Sequence, residues 1–198
     1  MVVRIKRIGE VTRNTTETKI YVKINLDGDG KYDVKTGVGF LDHMLELFAK
    51  HGSFDLICKA EGDTYIDFHH TVEDVGISLG VAIKEALGDK IGIKRYGTFH
   101  LPMMEALTRV SLDLSGRGFL SFNCEFTKDK VGEFDTELVE EFFYSLAYNG
   151  GINVHMDLIR GTNTHHIIES FFKGFAKALQ EAVNIINDKI QSTKGVIQ

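Results

Sequence analysis

Two stretches of the chain alternate apolar and polar residues: KIYVKINL from Lys19 and LTRVSLDL from Leu107. A period of two puts every second side chain on one face and predicts half-buried strands. A glycine-bearing segment follows each, DGDG from Asp27 and SGRG from Ser115, and predicts a tight turn into a second strand. Then the period lengthens. FLDHMLELFAKHG from Phe40 and LVEEFFYSLAYNG from Leu138 carry apolar residues at helical spacing and end on Gly, a common helix stop. HHTVEDVGISLGVAIKEAL from His69 and HHIIESFFKGFAKALQEAV from His165 predict two further helices, each opening on paired histidines. Such helices cover one face of a small sheet, so an α+β layer is expected in each half. Pro102, the sole proline, lies between apolar stretches and fits a bend or a sheet edge. From about Asn187 the tail NDKIQSTKGVIQ loses periodicity and, taken alone, reads as a frayed terminus.

The elements come twice in the same order, which marks an internal duplication. Aligning His69 on His165 also places His70 on His166, Glu73 on Glu169, Glu85 on Glu181 and Ala86 on Ala182. The strand segments align Glu17 on Glu105, with Gly28 and Gly30 on Gly116 and Gly118. The first helices align His43 on Glu141 and Gly52 on Gly150. Two repeat halves are expected, residues 1–90 and 91–198, sharing one core, each reading strand, turn, strand, helix, strand, helix.

Composition narrows the functional classes. The 198 residues are 43% hydrophobic and 26% charged, the balance of an ordinary globular domain. A net charge of -5 gives no basic stripe, which argues against nucleic acid as a partner. No apolar run reaches membrane-spanning length and no basic-then-apolar leader opens the chain, so membrane and export are not expected. Cys58 and Cys124 stand alone without metal-type spacing, and are expected as buried thiols in a reducing cytoplasm.

Histidine is the unusual component. Four of the eight occur as two adjacent pairs, each with Glu four residues after its first member. Residues four apart share a helix face, so His69 with Glu73, and His165 with Glu169, form two chelates. Adjacent residues diverge by about 100°, so His70 and His166 point away from their own chelates. Packing about a pseudo-twofold axis would send each to the other copy's chelate. The expected sites are then His69, Glu73 and His166, and His165, Glu169 and His70. His43 and Glu141, equivalent in the repeat, are candidate fourth ligands. Nitrogen and oxygen donors without thiolate suit Mn, Fe, Co, Ni or Zn, and a site that still takes water or substrate favours Mn. A lone His-His pair is more often surface or capping chemistry; two at equivalent places of a duplication point to paired metals. His51, His100 and His155 have no such support from spacing.

TGVGFLDHMLELFAKHG, FHHTVEDVGISLG, KRYG, DLSGRG, GTNTHHIIESFFKGFAKAL and STKG together resemble the imidazoleglycerol-phosphate dehydratase family of histidine biosynthesis, from about Thr12 to Gly195. The resemblance implies duplicated split β-α-β halves (the ribosomal protein S5 domain 2-like fold). It implies a homo-oligomer of 24 subunits built from trimers, with active sites at subunit interfaces, and two Mn ions per active site. One ion would be held by His43, His70, His165 and Glu169, the other by His69, Glu73, His166 and a residue at position 141. Many members carry His where this chain has Glu141, and His155 is the alternative donor. Arg95, Arg117, Lys173, Ser192 and Lys194 would hold the substrate phosphate, which would order the tail. Glu17 and His51 would contact substrate. Arg117 has a further mark in the repeat, since its partner is Asp29.

The implied reaction removes water from D-erythro-imidazoleglycerol phosphate and gives imidazole acetol phosphate. Its difficulty is taking a proton from a carbon with no carbonyl beside it. An imidazolate held between two metal ions would absorb the charge, and Glu17 is the candidate for proton transfer at the diol, with a metal-bound water as competitor. Two rival readings use the same residues: a dinuclear metal phosphohydrolase, and a structural oligomer cemented by metals.

Overall fold

The computed structural model describes residues 7–197. Residues 1–6 and 198 of the two expected halves lie outside the described residues. The first half runs β1 (Ile8–Asn14), β2 (Thr18–Asn25), β3 (Tyr32–Lys35), α1 (Gly39–Gly52), β4 (Asp55–Gly62) and α2 (His69–Leu87). The second runs β5 (Tyr96–Met103), β6 (Ala106–Asp113), β7 (Phe119–Asn123), the short pair β8 (Lys130–Val131) and β9 (Phe134–Asp135), α3 (Leu138–Gly150), β10 (Asn153–Arg160) and α4 (Thr164–Val183). Strand order is β1-β2-β4-β3 in one sheet and β5-β6-β10-β7 in the other, so the two four-stranded sheets share one topology. This is the duplicated α+β architecture that the sequence predicts.

Layering follows from the apolar faces. In β2 the buried residues Thr18, Ile20, Val22 and Ile24 alternate with exposed or half-buried ones, and β6 repeats this with Ala106, Thr108, Val110 and Leu112. These faces meet helices: α2 lies on β1 and β2, α4 lies on β5 and β6, and the helices pack as α2 on α3 and α1 on α4. One continuous buried cluster therefore runs from Ile20 and Val22 through Phe48, Val75 and Phe143 to Val154 and Phe175. Burying a large apolar side chain of this kind stabilises the fold by about 1.5–3 kcal/mol. The α2–α3 contact is unusually close. A Cβ on Gly80 would sit 2.4 Å from the Leu146 carbonyl oxygen, and one on Gly76 would sit 2.7 Å from that of Phe142.

Several expectations change. DGDG and SGRG do not close hairpins, because β4 inserts between β2 and β3, pairing antiparallel with one and parallel with the other; β10 separates β6 from β7 in the same way. The hairpins join β1 to β2 and β5 to β6, so each half has a first strand that the alternation reading passes over. β1 is short of buried positions, with only Gly9 fully buried, and a strand that buries one residue leaves little periodic signal. Pro102 sits in β5, an edge strand, where its missing N–H costs no ladder bond. Helices α1 and α3 do end on Gly52 and Gly150, and the left-handed residue that follows is Ser53 in one and Gly151, at φ 63°, in the other. Cys58 is buried as expected but Cys124 is only half-buried, since it follows β7 at the sheet's edge. The tail is tied down: the Gly92 N–H donates to the Lys189 carbonyl at 2.9 Å. Among the described residues no helix is long and apolar enough to cross a membrane.

Candidate active site

Helix α2 opens on its histidines because the Asp67 carboxylate accepts the His69 backbone N–H at 2.7 Å, satisfying one free donor of the first turn. One turn separates His69 from Glu73, whose Oε2 lies 4.0 Å from His69 Nε2. The close α2–α3 packing at Gly76 and Gly80 carries Glu141 to them, and one donor atom from each of His69, Glu73 and Glu141 falls within 4.8 Å of the others. Helix α4 builds the counterpart. Its N-cap Asn163 accepts the His166 backbone N–H at 3.2 Å, His165 Nε2 lies 3.2 Å from Glu169 Oε2, and His43 from α1 approaches Glu169 to 4.0 Å. His43, His165 and Glu169 again share a 4.8 Å neighbourhood. Each chelate thus takes a third member from the other half.

That exchange differs from the one the spacing predicts. Within one chain, His70 is not beside His165 and Glu169, and His166 is not beside His69 and Glu73. His43 and Glu141, reserved as fourth ligands, cross between the halves instead. The second histidines turn toward strand-end carboxylates: His70 Nδ1 lies 3.0 Å from Asp63 Oδ2 and His166 Nδ1 lies 2.8 Å from Glu105 Oε2. A proton held on Nδ1 by such a bond leaves the Nε2 lone pair facing outward, the usual preparation of a metal-binding imidazole. The bond from His166, with the backbone N–H of Asn163, draws the Glu105 carboxyl down to about 2. Spacing did not reveal Asp63, since it reaches His70 from the end of β4. Of position 141 and His155, Glu141 lies with His69 and Glu73, while His155 stands on the exposed face of β10 against Phe119, 5.7 Å between ring centres.

The donor sets fit divalent ions that prefer nitrogen and oxygen, two imidazoles and a carboxylate in one cluster and one imidazole and two carboxylates in the other. Their surroundings differ. Burial pushes the Glu169 carboxyl up, but the hydrogen bond and charge of Lys173, with His165 and His43, outweigh it and leave it below the ordinary range. Lys173 Nζ donates to Glu169 Oε1, so one carboxylate oxygen is engaged by a cation and the other faces His165 and His43.

The expected phosphate ligands separate into two groups. Arg95, Arg117, Ser192 and Lys194 line one cavity of about 360 Å3. Arg95 acts partly as a strut there: its guanidinium donates to both Asp113 oxygens, at 2.7 and 3.1 Å, and to the Gln191 carbonyl at 2.6 Å, which orders the tail. The exposed Arg117 guanidinium has no protein partner among the described residues, so it is the freer fork for an anion. Lys173 lies beside Glu169 instead, and His51, at the end of α1, is held below its ordinary value by burial and by Lys173 and Lys177. Glu17, half exposed at the tip between β1 and β2, approaches His70 Nε2 to 3.9 Å.

Known proteins extend the comparison. Residues 36–179 match the family model described as imidazoleglycerol-phosphate dehydratase. Proteins of that name from Caldanaerobacter subterraneus and Clostridium kluyveri are 58% and 59% identical over 193 and 194 residues, covering 96% of this chain and all of theirs. The crystal structure of the Staphylococcus aureus dehydratase superposes with a TM-score of 0.82 at 46% identity, over 90% of this chain and 99% of that one. That of the Pyrococcus furiosus protein, solved in complex with (S)-C348, gives 0.83 at 36%, over 94% and 99%. The chain belongs to the imidazoleglycerol-phosphate dehydratase family.

Proposed function

We propose that this chain dehydrates imidazoleglycerol phosphate to imidazole acetol phosphate in histidine biosynthesis, as a cytoplasmic enzyme that uses two divalent ions per active site, Mn foremost. The observation that carries the reading is the pair of three-donor clusters, His43–His165–Glu169 and His69–Glu73–Glu141, in one chain with a cavity lined by Arg95, Arg117 and Lys194. Lewis acidity at both ring nitrogens of the substrate is what the two ions would supply, lowering the cost of negative charge on the imidazole.

The chain's own groups do the rest. Arg117, Lys194 and the hydroxyl of Ser192 hold the phosphate, while Arg95 keeps the tail in place to receive it. A fixed phosphate aligns the diol with the reacting groups. Glu17 moves a proton at the diol, as its exposed carboxylate near His70 permits. Asp63 and Glu105 aim His70 and His166 outward. Because those two imidazoles lie apart from both clusters of their own chain, and Lys173 and His51 lie apart from the Arg117 cavity, we assign the missing contacts to a neighbouring copy. The active sites then lie at subunit interfaces of a homo-oligomer, which the family resemblance implies has 24 chains built from trimers.

The test is product release by chelator-stripped protein with and without added Mn. Turnover restored only with Mn supports the proposal. Release of inorganic phosphate with no dehydration supports the phosphohydrolase, and loss of assembly on chelation with no turnover in the loaded state supports the structural oligomer.

A further inference from the structure

We infer that Asp74, acting through Thr18, is a positioning residue that fixes the hairpin carrying Glu17; the inference rests on the dehydratase reading above. Asp74 follows Glu73 on α2 and is buried, 6% exposed. Adjacent helix positions diverge by about 100°, so α2 sends Glu73 to the metal cluster and Asp74 to the β1–β2 hairpin. There Asp74 Oδ2 accepts the Thr18 hydroxyl, and Oδ1 accepts Arg13 Nε at 2.9 Å. Thr18 is locked into the turn in its own right. Its N–H donates to Thr15 Oγ1 at 2.9 Å, the Thr15 N–H donates back to the Thr18 carbonyl at 2.9 Å, and the Glu17 N–H donates to Thr15 Oγ1 at 3.1 Å. The Glu17 backbone is thereby tied to α2, while its side chain makes no hydrogen bond among the described residues and only approaches His70.

The second half shows what the same fold does without this anchor. Strand pairing sets Arg13 opposite Ile20 and Leu101 opposite Thr108, so Leu101 and Ala106 occupy the places of Arg13 and Thr18, and Ser170 that of Asp74. Leu101 and Ala106 are buried, and the Ser170 hydroxyl donates to Ile167 within its own helix at 2.7 Å. That hairpin is held by its glutamate: Glu105 Oε1 accepts the Asn163 and Thr162 N–H groups at 2.7 and 3.3 Å, and Oε2 faces His166. In the first half Asp63 holds His70 and the Asp74–Thr18 pair holds the hairpin, which leaves Glu17 nothing closer than His70 at 3.9 Å among its ion-pair partners. A buried carboxylate is costly beside an apolar set of similar volume, and the fold is satisfied by Leu101, Ala106 and Ser170 where no free glutamate is needed. The polar set accordingly stands where a carboxylate has to be placed yet uncommitted.

The experiment compares wild type with Thr18→Val, Thr18→Ser and the triple variant Arg13→Leu, Thr18→Ala, Asp74→Ser, which writes the second half's residues into the first. Each Mn-loaded assembly is assayed on imidazoleglycerol phosphate, with melting temperature and metal content measured in parallel. Thr18→Val and the triple variant are expected to lose about a hundredfold in kcat, the scale of a misplaced reacting group. KM is expected to stay within about threefold. Metal content stays at the wild-type level, the triple variant melts close to wild type, and Thr18→Ser, which keeps the hydroxyl, retains turnover. Unchanged kcat in Thr18→Val and the triple variant of an active enzyme overturns the inference and leaves the dehydratase reading standing. So does a loss that tracks melting temperature, or one that Thr18→Ser fails to rescue. An inactive wild type overturns the dehydratase reading and this inference with it.

Discussion

The two three-donor clusters occupy equivalent places of a duplicated chain, yet they are built differently. His43–His165–Glu169 has one carboxylate, nearly buried and bonded to Lys173. His69–Glu73–Glu141 has two carboxylates, and Glu73 is 41% exposed with no lysine or arginine paired to it among the described residues. The helix contacts differ as well. Glycines at 76 and 80 let the backbones of α2 and α3 meet, whereas the place of Gly76 on α4 is taken by Phe172, which packs on Phe143 with ring centres 4.7 Å apart. The two chelates therefore share a frame but not a setting: one carboxylate is buried against a lysine, and the other two stand more exposed with no such cation beside Glu73 among the described residues.

The largest expected effect comes from breaking the cluster with the buried carboxylate. Glu169→Gln removes its only carboxylate and leaves Lys173 buried beside a neutral amide; stability should fall by about 3 kcal/mol, with one of two ions lost, read by melting and by metal analysis. Gly80→Ala strikes the other cluster through its packing. A methyl 2.4 Å from a backbone oxygen forces α3 away, costing about 1–3 kcal/mol and weakening only the site that contains Glu141. Glu141→Ala should weaken that same site without the packing cost, by about 10-fold or more in metal affinity, while His155→Ala leaves it unchanged; metal titration separates the two. The smallest effect concerns the thiols. Burial pushes Cys58, in the first half, and Cys124, in the second, up to about 12. Both stay protonated at pH 8 and should be silent to a thiol reagent until denaturation, when two react; Cys124, less buried, should react first on partial unfolding.

The frame that the two clusters share was legible in the sequence. Helix-opening histidines with Glu four residues on need only local geometry, and the repeat of His69 and Glu73 in His165 and Glu169 exposes itself by alignment. What stayed hidden depends on chain ends meeting in space. Gly28 and Gly30 look like hairpin glycines, but whether a strand inserts afterwards is decided by β4 finding both edges. His70 turns to Asp63 and not to the second chelate because a strand end delivers that carboxylate, a contact with no fixed sequence separation. The glycines of DVGISLG belong to a recognisable motif, yet their purpose, backbone contact with α3, appears only once the helices are packed. Arg95 and Arg117 read alike as phosphate ligands; only the structure separates the strut from the freer fork.

On the proposed reading, neither cluster becomes an active site within one chain. Mixed assembly tests it most directly, by co-expressing Glu141→Ala chains with His166→Ala chains, assayed at Mn low enough that each is expected to be inactive alone. If His166 completes the Glu141 cluster of a neighbour, random mixing makes about one site in four whole, and about a quarter of wild-type turnover should return. If hybrids that assemble normally remain as inactive as their parents, His166 acts within its own chain and the shared site is contradicted.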